Sequence, residues 1–367
     1  MLKTLMVKLD PTDEQHQMLL DTMHRFNEAC NYIAGVAFAI GKANKVEVHK
    51  AVYYDVRERF GLSAQLTVRA ISKVVEAYKR EKSFKPEFRS DGAIVYDQRI
   101  LTWKGLEAVS LTTLQGRQLI PTKIGDYQKA RMDRVRGQVD LIIVKGVFYL
   151  CPVVEVAEES PYDPTGSLGV DLGIKYLAVD SDGEIHSGEQ INQTRDQLDS
   201  LKSRLQSKGT KSAKRHLKKL SGRMARFSRD VNHCISKKIV AKAKDTCRSV
   251  ALEDLEGIRS RVTVRKAQRR SLHSWSFYQL RQFVEYKALE AGVTVVLVDP
   301  RNTSRTCPSC GHVSKSNRPT RDEFRCKSCG FAGPADHIAA INIASRAAVN
   351  QPIVAGKHLT SVTSSGL

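Results

Sequence analysis

Two Cys-x-x-Cys pairs, Cys307/Cys310 and Cys326/Cys329, constrain the fold of this chain more than any other feature. Each pair is followed directly by a glycine, which lets the backbone turn back so that its amides face the thiolates. Four thiolates at this spacing form the closed tetrahedral site of a zinc ribbon. A redox-active dithiol or chance cysteines would require neither the second pair nor both glycines. The sequence therefore predicts a structural Zn²⁺ bound by all four cysteines in a ribbon at residues 304–331.

An Ala/Ile-rich helical pattern, DHIAAINIASRAAV, follows the ribbon and begins at Asp336. An aspartate at the start of a helix is usually its N-cap. Whether Asp336 has a further role depends on the other acidic residues of the chain.

The charge balance is the unusual part of the composition. Lys plus Arg number 59 against 39 for Asp plus Glu, a formal net charge of +20. This excess favours a polyanionic partner, either nucleic acid or an acidic membrane surface. No segment approaches the roughly 18 apolar residues of a membrane span, and the N-terminus has no apolar signal core. We therefore expect a soluble cytoplasmic protein, in which Cys30, Cys151, Cys234 and Cys247 are core thiols.

The N-terminal part combines strands with a helical insertion. Residues 2–9 alternate as one strand, and Thr12 and Gln15 then have the spacing of a capping box. Residues 11–85 show amphipathic helical periodicity. Residues 86–160 form short alternating runs, with a hairpin that turns near Lys145-Gly146. These patterns fit a β-barrel or a small sandwich, and we predict a β-barrel from residues 1–10 and 86–160, interrupted by a helical domain at 11–85.

Basic and aromatic residues are interleaved after this helical region, which suits either a nucleic-acid groove or a solvated strand face. They are Lys85, Phe88, Arg89, Tyr96, Arg99, Trp103 and Lys104.

The second part of the chain begins after a polar, Pro/Gly-rich linker at residues 157–167. Asp171 lies within the apolar strand that follows, where its charge requires compensation, and it is either a metal ligand or a tolerated strand-edge residue. Residues 190–244 are helical, and residues 201–230 contain eleven Lys/Arg and the single acid Asp230. A run of one sign repels itself unless phosphates neutralise it, so we favour a phosphate-contacting arm over a charged surface that serves only solubility.

Three carboxylates stand on separate elements of one α/β pattern. Asp171 lies on its first strand, Glu253 ends a later apolar strand, and Asp336 begins the last helix. Converging carboxylates form a hard oxygen site suited to Mg²⁺ or Mn²⁺, and two such ions can hydrolyse a phosphodiester. The pattern is that of a ribonuclease H-like nuclease at residues 166–303 and 332–349. The tail at 350–367 has little to bury and is expected to be disordered.

The same residues resemble the transposon-encoded TnpB family of compact RNA-guided DNA endonucleases. GVDLGIKYLAV resembles the first RuvC motif, VALEDL the second and ADHIAAINIA the third. These motifs carry over Asp171, Glu253 and Asp336 as catalytic metal ligands, and HSWSFYQLRQFVEYKALEAG followed by TSRTCPSCG resembles the helix that leads into the family's zinc ribbon. Family members often have asparagine where this chain has Ile338.

The resemblance, and not the composition, implies the detailed function. It implies a guide RNA from the transposon end and a double-stranded DNA target beside a short adjacent motif, with base pairing supplying specificity. The barrel and the helical insertion would then be the wedge and recognition parts of a monomeric ribonucleoprotein, which acts at the nucleoid of a prokaryote. Three alternatives are RNA-guided DNA binding without cleavage, a minimal type V CRISPR effector and a simple zinc-ribbon DNA-binding module. The first is disfavoured because all three carboxylates are present, and the last leaves the first two motifs unexplained.

Overall fold

The computed structural model describes residues 1–41, 43–173, 175–255 and 277–349, in two compact units. The first unit is Met1–Ala157, and the second begins at Glu158, close to the start of the predicted linker. The tail predicted to be disordered, residues 350–367, lies outside the described residues. Among the helices described, none combines the length and the apolar character needed to cross a membrane.

The strands of the first unit form one nearly closed antiparallel sheet of eight strands. Its hydrogen-bonded order is β3-β7-β8-β2-β6-β5-β4, and β1 pairs with β8 beside β2. The bounds are β1 Leu2–Thr4, β2 Val7–Leu9, β3 Ile94–Tyr96, β4 Leu101–Lys104, β5 Ala108–Thr113, β6 Gly116–Lys123, β7 Val135–Val144 and β8 Val147–Glu155.

The prediction of a single strand over residues 2–9 is wrong. β1 and β2 both pair with β8, but the pairing breaks around Pro152 of β8, where Leu5 donates its amide to the Pro152 carbonyl at 2.9 Å. Proline has no amide hydrogen to return, so the ladder cannot continue through this point. The predicted hairpin turn is confirmed, since β7 and β8 are joined by Lys145 and Gly146, both with positive φ.

Three long helices follow the first two strands and share one hydrophobic core with the sheet. Their bounds are α1 Asp13–Ala39, α2 Lys45–Phe60 and α3 Ala64–Arg80. The capping box at the start of α1 is confirmed, since Thr12 accepts from the Gln15 amide and Gln15 accepts from the Thr12 amide. A short helix α4, Asp126–Lys129, and a 3₁₀ turn, Met132–Arg134, connect β6 to β7.

Tyr96 is not part of an interleaved nucleic-acid groove. Its side chain is fully buried in the core, where the phenol hydroxyl donates a hydrogen bond to the Thr112 carbonyl at 3.0 Å. Because Tyr96 alternates with the surface-facing residue of a short strand, its ring points into the core and away from solvent.

The second unit is built on a five-stranded mixed sheet of order β11-β10-β9-β12-β13. The first three neighbours are antiparallel, whereas β12 runs parallel to both β9 and β13. A separate antiparallel hairpin, β14 with β15, carries part of the cysteine cluster. The bounds are β9 Ser167–Asp171, β10 Tyr176–Asp180, β11 Ile185–Ser187, β12 Ser249–Glu253, β13 Val295–Val298, β14 Glu323–Arg325 and β15 Ala332–Pro334.

Helices cover both faces of this sheet. Their bounds are α5 Glu189–Lys208, α6 Lys211–Leu220, α7 Arg223–Asp245, α8 Phe277–Glu290 and α9 Ala335–Val349. Leu168, Val170 and the alternating residues of β12 pack on one face with apolar side chains of α7 and α8. Ala251, Val296 and Val298 pack on the other face with Ile343 and Ala347 of α9. The basic segment predicted to be helical forms α5, α6 and most of α7.

The prediction of core thiols holds for only part of the cysteines. Cys30 is buried in the first core and Cys151 is half-buried, but Cys234 and Cys247 are exposed. Cys234 lies on the outer side of α7, and Cys247 follows the end of α7 in a left-handed conformation with φ of 50°. A reducing compartment argues against disulfides, but it does not determine whether a free cysteine is buried or exposed.

Candidate functional site

Asp171 and Glu253 are the last residues of two neighbouring parallel strands, β9 and β12. The register pairs Ser167 with Ser249, and their hydroxyls are hydrogen-bonded at 2.8 Å. Side chains four residues further along a strand lie on the same face. Asp171 and Glu253 therefore share both the edge of the sheet and the face on which Ser167 and Ser249 meet.

Helix α9 crosses this face at Gly169, two residues before Asp171. A Cβ atom at Gly169 would lie 2.1 Å from the Ala340 carbonyl oxygen and 2.5 Å from the Ala344 amide nitrogen. Only glycine permits this close contact between strand and helix backbones. The small residues of α9 serve the same approach, which brings the first turn of α9 to the end of β9.

Asp336 is the second residue of α9 and not its N-cap, which corrects the simplest interpretation of the sequence. Its carboxylate instead accepts a hydrogen bond from Arg318 at 2.9 Å, between side chains that are 15% and 25% exposed. Arg318 itself is held by two hydrogen bonds to the Arg321 carbonyl. The neighbouring His337 contacts the Ser181 carbonyl at 3.1 Å and so anchors the start of α9 to the β10–β11 turn.

The three acidic residues are electrostatically coupled. Burial, followed by the negative charges of Glu253 and Asp336, raises the pKa of Asp171 to about 8 against the opposing charge of Arg318. Burial also raises the pKa of Glu253, and a hydrogen bond from Thr303 opposes that rise. Carboxylates that repel one another in a desolvated place are stabilised by a cation.

The carboxylates fit a divalent ion in chemistry, although they are less closely grouped than the cysteines. Of the described His, Cys, Asp and Glu residues, only the four cysteines have ligand atoms that all lie within 4.8 Å of one another. Three carboxylates from β9, β12 and α9 nevertheless supply hard oxygen donors, which Mg²⁺ and Mn²⁺ prefer.

The cysteine cluster is built from two equivalent turns. Cys307 and Cys326 each accept a hydrogen bond at the carbonyl from the amide of the following glycine, Gly311 and Gly330, whose φ values are 75° and 78°. The Sγ atoms of Cys307 and Cys329, and those of Cys310 and Cys326, are 3.6 Å apart. A tetrahedral ion with metal–sulfur bonds of about 2.3 Å places sulfurs about 3.8 Å apart. The four sulfurs therefore fit one metal ion.

Asn317 joins the two turns of the cluster. Its side chain is fully buried, its amide nitrogen donates to the Arg305 and His312 carbonyls, and its amide oxygen accepts from Lys327. Backbone amides of Cys329 and Ser328 lower the pKa of Cys326 to about 6. This favours the thiolate form that a metal requires.

Several residues that organise the site were not predicted from the sequence. Arg318, Thr303, Asn317 and Asn342 had no recognisable pattern, whereas a glycine inside an apolar strand, as at Gly169, is a known sign of close backbone approach. Ile338, where the resemblance led us to expect asparagine, is 2% exposed and packs with Cys307, Phe324 and Cys326. It therefore connects α9 to the cysteine cluster.

Two family models match the chain between residues 151 and 343, and the first of them begins within β8 of the first unit. The model described as "Probable transposase" matches residues 151–257, which contain Asp171 and Glu253. The model described as "Cas12f1-like, TNB domain" matches residues 277–343, which contain the cysteines and Asp336. The chain is thus similar to the first family over residues 151–257 and to the second over residues 277–343.

Curated relatives indicate more specifically which proteins this chain resembles. A TnpB-like protein of Methanocaldococcus jannaschii is 27% identical over 60% of this chain and 83% of its own length. InsQ of Escherichia coli, named a putative RNA-guided DNA endonuclease, is 25% identical over 88% of this chain and 87% of its own length. A Cas12f1 endodeoxyribonuclease of Sulfoacidibacillus thermotolerans is 38% identical over 35% of this chain, which spans only 29% of that relative. The resemblance to the TnpB family is confirmed by these matches.

A solved structure shares the architecture. The structure of the mini-RNA-guided endonuclease CRISPR-Cas phi3 aligns with a TM-score of 0.58 at 11% identity, over 96% of this chain and 93% of that one. At this identity the likeness shows a common fold and nothing about activity.

Proposed function

We propose that this protein is a metal-dependent, RNA-guided DNA endonuclease of an insertion sequence. The observation that carries the proposal is the convergence of Asp171, Glu253 and Asp336 at one edge of the second sheet, where burial, followed by the other two charges, raises the pKa of Asp171. Such coupling of buried acids is typical of a functional site. The names of the TnpB-like relative and of InsQ support the same activity.

The fold that we infer for the second unit is ribonuclease H-like, of the RuvC type. The order β11-β10-β9-β12-β13 has an antiparallel meander followed by two parallel strands, with helices on both faces, and this supports that assignment. The two acidic strand ends and the first turn of α9 are where this fold would hold its catalytic ions.

In the proposed mechanism, Asp171, Glu253 and Asp336 would hold Mg²⁺ or Mn²⁺. Bound ions would activate water and stabilise the leaving oxygen of a phosphodiester. The protein groups orient this site: Arg318 contacts Asp336, and Thr303 contacts Glu253. The cysteine cluster would bind Zn²⁺ and fix the segment that carries both Thr303 and Arg318.

The partners in this proposal are a guide RNA and double-stranded DNA. The basic helices α5, α6 and α7 support a role in phosphate contact, because residues 201–230 carry eleven Lys/Arg and one acid. We propose that one copy of the chain acts in the ribonucleoprotein in the cytoplasm, with the first unit as the wedge and recognition parts. RNA-guided binding without cleavage is the alternative.

The test replaces Asp171 with Ala in the ribonucleoprotein as purified. We expect Mg²⁺-dependent cleavage of the matched DNA to fall below detection, while the amount of bound RNA stays the same. Asp163→Ala is the matched control, because Asp163 is exposed and lies in the linker before β9, outside the basic helices. Retained cleavage in Asp171→Ala removes this residue from the site, and a wild-type complex that binds matched DNA without cutting it supports the alternative.

Sequencing the RNA that co-purifies with the protein tests the guide. A defined RNA that ends in a variable segment is expected. Random cellular RNA would contradict guided recognition and leave a nuclease that only binds polyanions.

A further inference from the structure

We infer that Thr303 is a positioning residue for Glu253 and that it links this carboxylate to the helix that carries Asp336. This inference rests on the proposed function, since it concerns how the proposed metal site is held together. It depends on three observations: the burial of Thr303, its hydroxyl contact with Glu253, and the attachment of its backbone to α9.

Thr303 lies between β13 and the first cysteine pair, and its side chain is 3% exposed. Its Oγ1 donates to Glu253 Oε1 and lies 3.0 Å from the Pro300 carbonyl oxygen. A hydroxyl has one proton, and the bond to an ionised acceptor is the stronger of the two. Within the described part of the chain, the Glu253 carboxylate accepts its hydrogen bond from this hydroxyl.

Asn342 fixes the backbone of Thr303. The Asn342 side chain is 5% exposed, and its Nδ2 donates to the carbonyl oxygens of Thr303 and Thr306, both at 2.8 Å. Asn342 lies on α9, about two helical turns after Asp336. The position of the Thr303 hydroxyl is therefore set by the same rigid helix that positions Asp336.

This arrangement gives Thr303 a definite task. A glutamate has three side-chain torsions, so an unrestrained Glu253 carboxylate would sample several orientations at the strand end. The Thr303 hydroxyl holds Oε1 and leaves Oε2 for a cation. Groups that orient a metal-binding side chain in this way typically change metal affinity by about 10- to 100-fold when they are removed.

The experiment compares Thr303→Val with Thr303→Ser in the full-length protein. Valine keeps the shape and removes the hydroxyl, whereas serine keeps the hydroxyl and loses a methyl group. Mn²⁺ binding is measured by electron paramagnetic resonance of the free ion, without nucleic acid. We expect Thr303→Val to weaken Mn²⁺ binding about 10-fold and Thr303→Ser to bind nearly as tightly as wild type.

A residue that contributes only packing would give the opposite ranking, because serine leaves a cavity and valine does not. The inference would be overturned if Thr303→Val bound Mn²⁺ as tightly as wild type, or if Thr303→Ser bound it as weakly as Thr303→Val. Should Thr303→Val not fold, as judged by zinc content and thermal melting, Thr303→Ala measured against Thr303→Ser decides the same question.

Asp171→Ala separates this inference from the proposed function. If wild type and Asp171→Ala bind Mn²⁺ equally, the proposed carboxylate site is wrong. If Asp171→Ala abolishes binding while Thr303→Val does not weaken it, the site stands and only the role of Thr303 is wrong. The cleavage assay adds a second measurement, in which Thr303→Val should raise the Mg²⁺ concentration for half-maximal rate more than it lowers the rate at saturation.

Discussion

The second unit contains two candidate metal sites that are built in opposite ways. The four cysteines lie close together in sequence, on two equivalent turns, and their sulfurs are already within 4.8 Å of one another. The three carboxylates come from β9, β12 and α9, and burial, followed by the charges of the other two, raises the pKa of Asp171. Local backbone geometry creates the first site, whereas the packing of a sheet against a helix creates the second.

The two sites are also connected. Thr303 precedes the first cysteine pair and contacts Glu253, while Arg318 lies between the two pairs and contacts Asp336. Ile338 of α9 packs directly against Cys307 and Cys326. The cysteine cluster thus supports the carboxylate site. This dependence can be tested by disrupting the cysteine cluster and measuring the effect on the carboxylate site.

Cys326→Ser should have the largest effect. Zinc binding contributes on the order of 10 kcal/mol to the folding of small modules, and serine is a much poorer zinc ligand. We expect the zinc content to fall and the segment from Thr303 to Arg318, which contacts Glu253 and Asp336, to lose its order together with the adjoining helix α9. DNA cleavage should then be lost as a consequence. Zinc is measured by atomic spectroscopy and local order by hydrogen exchange of α9.

Cys234→Ser is the matched control, because Cys234 is exposed and lies outside the cluster. It should leave both zinc content and exchange unchanged. Full zinc content in Cys326→Ser would contradict the four-cysteine site. Loss of zinc without faster exchange in α9 would instead show that the two sites are independent.

A pH experiment distinguishes Asp171, a buried carboxylate beside other negative charges, from Asp182, a carboxylate paired with an arginine. The folded pKa of Asp171, about 8, lies above its ordinary value of 3.8, so without a cation its ionisation destabilises the fold as pH rises from about 4 to 8. Arg248 lowers the pKa of Asp182 to about 2, so this charge stabilises the fold above pH 4 and the benefit is lost as pH falls toward 2.

The substitutions to asparagine should therefore have opposite signs. Without added divalent cations at pH 8, we expect Asp171→Asn to raise the melting temperature by several degrees and Asp182→Asn to lower it slightly. The difference between Asp171→Asn and wild type should shrink toward pH 4. Equal shifts at both pH values would show that the charge of Asp171 is not destabilising. Added Mn²⁺ should stabilise wild type and leave Asp171→Asn nearly unchanged.

How much of each site the sequence predicts follows from the same contrast. All four cysteines were predicted because a Cys-x-x-Cys pair followed by glycine specifies its own turn. The structure places Asp171 and Glu253 on one face because alternation along two parallel strands does so, but their role as ligands stays a prediction. Thr303 could not be identified, since its partner Glu253 lies 50 residues away in the chain.

The errors in the fold predicted from the sequence have related causes. Residues 2–9 alternate like one strand, and only their partner strand, through Pro152, divides them. Cys234 was assigned from the expected reducing compartment and Tyr96 from the basic and aromatic residues around it, yet the side of the element on which each lies depends on what packs there. The turn at Lys145-Gly146 and the cap at Thr12 were correct, because both are determined within four residues.

The smallest of the three effects concerns the contact between β9 and α9. Gly169→Ala places a Cβ atom 2.1 Å from the Ala340 carbonyl oxygen, and backbone on both sides must move to accommodate it. We expect a loss of stability of about 1–3 kcal/mol in denaturant unfolding, together with reduced Mn²⁺ affinity, because the shift displaces Asp336 from Asp171. Gly35→Ala on α1 is the control, since nothing lies within 4 Å of its added Cβ and helix propensity predicts a gain of up to about 1 kcal/mol. If Gly169→Ala lost stability but bound Mn²⁺ normally, the carboxylate site would tolerate a displaced helix. The assembled site would then be less dependent on packing than its construction from β9, β12 and α9 indicates.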